Sequence, residues 1–90
     1  MVEIRVVVTD ASHVPGLMRR LGRLFDRSSV SFDRARREVR VRSEWESRSV
    51  VEVVDAVQAW LAADGLGSAT LFVGDRSYTL AAAPVPITAR

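Results

Sequence analysis

Apolar residues recur at two different periods along this chain, and the order in which those periods alternate is what most limits the fold. In residues 2–9, Val2, Ile4, Val6 and Val8 fall on one side, with Glu3, Arg5, Val7 and Thr9 on the other. A two-residue period is that of a half-buried strand. Residues 14–27 change to helical spacing: Leu17, Leu21 and Leu24, joined by Met18 and Phe25, gather on one arc, and Arg19, Arg20, Arg23 and Arg27 lie on the opposite one. Asp10-Ala11-Ser12-His13 separates the two patterns as a loop. Ser12 is the expected N-cap and Pro15 fits the first turn. Ser28-Ser29 ends the helix.

Alternation then returns. Val30 and Phe32 share a face of a short second strand, and Asp33-Arg34-Ala35-Arg36 reads as a turn. Val39 and Val41 alternate with Glu38, Arg40 and Arg42 in a third strand. Ser49-Val50-Val51-Glu52 has the form of a capping box, which predicts a helix running to about Asp64 and stopping at Gly65. Val50, Val54, Val57 and Leu61 form its expected inner stripe, flanked by Val53, Ala56 and Trp60. Residues 69–73 and 76–81 predict a hairpin across Gly74-Asp75, a two-residue loop suited to a primed turn.

The order strand, helix, strand, strand, helix, strand, strand predicts an α+β fold. Its first six elements match a ferredoxin-like βαββαβ sandwich, with two helices on one face of an antiparallel sheet. The last strand extends the sheet at an edge. Residues 1–82 are expected to form a single domain. Residues 83–90, with Pro84 and Pro86, are expected to form an extended tail.

Composition excludes several functions. Ninety residues with 48% hydrophobic and 27% charged side chains suit one small core. There is no cysteine, so disulfides and thiolate metal sites are ruled out. The start, MVEIRVVVTD, has acids among its apolar residues and no basic leader, so it reads as a strand rather than a secretion signal, and the cytoplasm is the expected location. No run is long enough to span a membrane. All 13 basic residues are arginine, yet the net charge is only +2, which does not point to polyanion binding.

No residue pattern marks an active site. His13 is the only histidine, beside Ser12 and Asp10, and neighbouring residues of one loop seldom place three side chains in line as a triad. One histidine without clustered carboxylates leaves no metal ligand set, and the five glycines are scattered rather than gathered in a phosphate loop. No cofactor is expected. Nucleic acid is not an expected partner: the third strand, residues 37–42, has no aromatic for bases to stack on, and Glu3, Glu38 and Glu44 oppose Arg5, Arg40 and Arg42.

Two surface features remain. Arg19, Arg23 and Arg27 stand four residues apart, the spacing of a basic docking stripe for an acidic partner. Val53, Ala56 and Trp60 on the second helix, with Val7 and Phe72 on the outer sheet face, are apolar beyond what one face of the sandwich needs. They are the candidate interface, and Trp45 lies between strand and helix nearby.

The second half, from Ala59-Trp60-Leu61 through residues 70–80 (TLFVGDRSYTL), is similar to the effector-associated constant component family of actinobacterial conflict systems. That resemblance implies a non-enzymatic adaptor that recruits or holds a partner, and it carries over no functional residue. Val14-Pro15-Gly16-Leu17-Met18, followed by Leu21 and Leu24, resembles the opening of the first helix of ACT-type regulatory domains, although His13 stands where that family usually has Asp. It implies a ligand loop at His13, Pro15 and Gly16. The leading expectation is a self-associating, non-catalytic protein-interaction module, a homodimer accompanying an effector or enzyme. The alternatives are an ACT-like sensor of small molecules, and a small dimeric enzyme or cyclase with a cavity lined by residues such as Met18, Phe25, Trp60 and Tyr78.

Overall fold

In the computed structural model, residues 2–44 and 46–82 are described. Trp45 and the expected tail, residues 83–90, lie outside them. The elements run β1 (Val2–Val7), a 3-10 turn (Ala11–His13), α1 (Val14–Gly22), a second 3-10 turn (Arg27–Ser29), β2 (Val30–Asp33), β3 (Glu38–Ser43), α2 (Glu46–Ala63), β4 (Ser68–Val73) and β5 (Arg76–Ala81). The sheet is antiparallel with order β2-β3-β1-β4-β5. The first four of those strands have the ferredoxin-like arrangement, and β5 extends it beyond β4.

The alternation in sequence becomes one buried sheet face. Ile4 and Val6 on β1 pair with Val41 and Val39 on β3 and with Val73 and Leu71 on β4. Ile4, Val6, Val39, Val41 and Leu71 are all buried beneath Leu17 and Leu21 of α1 and Val53, Val57 and Leu61 of α2. Removing that much aliphatic surface from water is the main stabilising term.

Both helices differ from the expected ones at their ends. The first stops at Gly22, five residues short of Arg27. The N–H groups of Leu24 and Phe25 both donate to the Leu21 carbonyl, at 3.0 and 2.9 Å, and Asp26 is extended (φ −62°, ψ 149°). Glycine is a poor helix former, and here the chain leaves helical geometry to enter β2. The second helix begins at Glu46, a turn before the Ser49–Glu52 box. Ser49 is buried with its hydroxyl hydrogen-bonded to that of Ser43, and Glu52 accepts from Arg48 Nε at 3.1 Å, so neither caps the helix.

The predicted stop at Gly65 is present in full. Gly65 has φ +67°, its N–H donates to Ala62 O, and the Leu66 N–H reaches back to Leu61 O at 2.8 Å. These two bonds make a Schellman closure. In the last hairpin Gly74 has φ +60°, the conformation that a primed turn demands of its first loop residue.

The glycines make a paired prediction. Gly65→Ala places a Cβ on a left-handed residue and is expected to lower stability by about 1 kcal/mol. Gly22→Ala, where an added Cβ meets nothing within 4 Å, is expected to raise it by about 0.5–1 kcal/mol through helix propensity. Urea unfolding midpoints of the two variants check both signs.

Candidate functional site

The loop between β1 and α1 is organised by a carboxylate. Asp10 Oδ1 accepts from the Ser12 N–H at 2.9 Å and from the Ser12 hydroxyl at 2.8 Å. Asp10 is therefore the cap of the 3-10 turn. Ser12, the residue expected to cap α1, is its donor, and His13 takes the N-cap position without capping the helix through its side chain. His13 makes its hydrogen bond elsewhere. Its Nδ1 donates to Asp64 Oδ2 at 3.0 Å, while its Nε2 lies 3.9 Å from Asp10 Oδ2. The Ser12 proton is directed at Asp10, so the Ser–His hydrogen bond that activates a nucleophile is not made.

Above this loop sits Trp60. Its indole Nε1 donates to the His13 carbonyl at 2.9 Å, and the side chain is 2% exposed. The expected interface on α2 is thereby corrected: Trp60, Val53 and Ala56 are core residues, 2%, 0% and 8% exposed. α2 packs against α1 as well as the sheet, so its buried arc is wider than the sheet alone requires. Val50 and Val54, assigned to the inner stripe, are only partly buried.

Of the loop residues assigned to ligand binding, Gly16 faces Trp60 and Asp64, and Pro15 is exposed. The crevice beside His13 and Trp60 holds about 120 Å³, whereas small-molecule sites usually enclose several hundred. Trp60 and Tyr78 line different depressions, Tyr78 being 44% exposed on β5. They do not close one cavity with Met18 and Phe25.

On the outer sheet face every arginine has an acidic neighbour. Arg5 Nη1 lies 3.4 Å from Glu38 Oε2, Arg40 Nη2 lies 3.1 Å from Asp33 Oδ2 and 3.6 Å from Glu38 Oε1, and Arg42 Nε lies 3.4 Å from Glu3 Oε2. Arg5 and Arg40 are directly opposite across β1 and β3, and Glu38, 6% exposed, offsets a repulsion that would otherwise weaken that pair. Glu38 Oε1 and Arg40 Nε are buried without a hydrogen bond. The Arg5 guanidinium also stands 4.8 Å from the centroid of the Phe72 ring, a cation–π contact. Val7 and Phe72, the other two interface candidates, are thus partly buried on a face whose charges balance.

The α1 arginines are arranged differently. Arg19 and Arg23 are exposed and Arg20 is half-buried. Around Gly16 and Asp64 they line a depression of about 200 Å³. None of them makes a side-chain hydrogen bond or ion pair with a described residue. Arg27 is corrected out of the stripe, because α1 ends before it and it lies in the following 3-10 turn.

Sequence reasoning missed three features. Leu24, assigned to the core, is 47% exposed beside Arg20, Arg23, Glu52, Asp55 and Ala56. Glu38 is buried on the face expected to be solvated. A broad depression of about 960 Å³ lies beside Val50, Val73 and Tyr78 where the last hairpin passes α2. Burial of an acid on an outer face leaves no mark in period-two alternation; only the cross-strand register brings its two arginines together. Among the described residues, no group of three or more His, Asp or Glu could hold a metal ion, and no helix is long and apolar enough to cross a membrane.

Two outcomes follow from the loop. The hydrogen bonds from Ser12 hold the Asp10 carboxyl below its ordinary value of 3.8. Its contribution to stability is therefore complete above pH 3.8 and is lost as pH falls through the lowered folded value. Asp10→Ala is expected to be less stable than the intact chain at neutral pH, with the gap closing in strong acid, as followed by thermal melting against pH. Trp60→Phe strands the His13 carbonyl and is expected to cost about 1–3 kcal/mol in urea unfolding.

No protein-family model matches this chain, and neither a curated protein nor a solved structure matches it.

Proposed function

We propose that this chain is a non-catalytic interaction module, an adaptor that holds an acidic segment of a partner protein against α1. The observation that carries this reading is the contrast between its two arginine groups. Arg5, Arg40 and Arg42 are neutralised by acids of the same sheet face. Arg19, Arg20 and Arg23 line one depression beside α1 with Asp64, and none of them forms an ion pair with a described residue. Guanidinium groups present fixed forks that match carboxylates, and so suit docking of an acidic surface.

The neighbouring groove adds an apolar component. Leu24 and Ala56 line its floor, with Arg20 and Arg23 on one bank and Glu52 and Asp55 on the other. A segment with acids facing α1 and an apolar side chain over Leu24 suits both charge and surface, and the opposing acidic bank would set its orientation. The resemblance to effector-associated components points the same way, since it implies an adaptor.

Fluorescence anisotropy with a labelled Glu/Leu helical peptide and its Lys/Leu counterpart tests the reading. The acidic peptide is expected to bind, more weakly as salt rises. The double variant Arg19→Glu, Arg23→Glu is expected to lose about tenfold in affinity or more, on the scale of two exposed charge pairs; Arg42→Glu should bind like the intact chain. Equal binding of the two peptides, or no loss in the double variant, would reject docking at α1. Thermal stabilisation by free amino acids instead would favour the ACT-like regulatory reading.

A further inference from the structure

We infer that β5 is an interface for a second copy of this chain, paired antiparallel about a twofold axis at Thr79. β5 is the last strand of the sheet, and five of its six residues are exposed. Its register with β4 runs without a bulge from Val73↔Arg76 to Ser68↔Ala81. The Ala82 N–H donates to Gly67 O in that same register. Bonded and non-bonded pairs alternate along an antiparallel ladder. Arg76, Tyr78 and Leu80 therefore bond inward to β4, and Ser77, Thr79 and Ala81 direct their N–H and C=O groups to the open edge.

Those three residues can satisfy one another. With Thr79 opposite Thr79 of the second copy, Ser77 falls opposite Ala81, and about six backbone hydrogen bonds form. Shifting the twofold by one residue either way leaves one of the three without a partner among them. In this register Tyr78 meets Leu80 on the helix side, an aromatic–aliphatic cross-strand pair, and the two threonines meet on the outer side. Tyr78 is 44% exposed in the single chain, so pairing would cover one of its few large exposed apolar side chains. Charge agrees as well. Arg76 is the only charged residue of β5, and this register places it about 20 Å from its twin. Open edges usually carry protection in the form of charge, proline, a bulge or short length. The opposite edge, β2, is four residues long and ends in Asp33, whereas β5 lacks all of these apart from Arg76.

The absence of cysteine makes a register-specific test straightforward. Sedimentation over a range of concentrations is expected to show a dimer for the intact chain. Thr79→Lys, which sets two ammonium groups face to face, is expected to be a monomer with an unchanged circular dichroism spectrum. Mild oxidation should cross-link Thr79→Cys into a covalent dimer. Ser77→Cys should resist, because its twin lies about 13 Å away along the strand. The cysteine pair decides the matter if the lysine variant fails to fold. A monomeric intact chain, a dimer indifferent to Thr79→Lys, or cross-linking through Ser77→Cys instead of Thr79→Cys would overturn the inference. None of these results bears on peptide binding at α1, so the two readings can fail separately.

Discussion

One hydrogen bond ties the ends of the two helices together, from the Trp60 indole to the His13 carbonyl. It joins the last turns of α2 to the entry of α1 across 47 residues of sequence, and the His13–Asp64 pair lies beside it. A buried indole N–H without an acceptor carries a desolvation cost, as does a buried carbonyl without a donor. Meeting both needs in one contact fixes how far α1 and α2 slide past each other. The rest of the helical layer follows from that placement. Gly16 comes against Trp60, Val53 and Ala56 fall under α1, and Leu24 is left in water where α1 runs out.

Charge is arranged on the same scaffold in two ways. The outer sheet face interleaves both signs, and register alone makes the interleaving work. Glu38 stands beside Arg5 and Arg40, which would otherwise repel directly across β1 and β3. Holding Glu38 nearly buried in that position restricts the face to one arrangement, a structural role for residues that resemble a binding surface in sequence. Helix α1 has no acidic residue of its own, and Arg19, Arg20 and Arg23 form no ion pair with any described residue.

The sheet is equally asymmetric at its edges. β2 is short and partly covered where α1 and the second 3-10 turn contact it. β5 lies against α2 through part of its length, where Leu80 packs on the core, but its outer residues are exposed and Tyr78 is left wet on the face that elsewhere forms the core.

Much of this was legible in the sequence. Alternation placed Ile4, Val6, Val39, Val41 and Leu71 on the inner face, and Gly65 and Gly74 marked a helix end and a hairpin, because those signals depend on neighbours within a few residues. The element order was enough for a ferredoxin-like sandwich with an added strand. Other features required the folded chain. The rotation of α2 that buries Trp60 and the burial of Glu38 depend on atoms brought in from distant segments, whereas the Asp10 cap and the early end of α1 are local choices among near neighbours that the pattern of apolar residues does not record. Local patterns determine which side of an element is apolar. Only packing determines how much of that side a neighbour covers, since coverage is a property of two surfaces in contact and the periodicity of one segment records only its own.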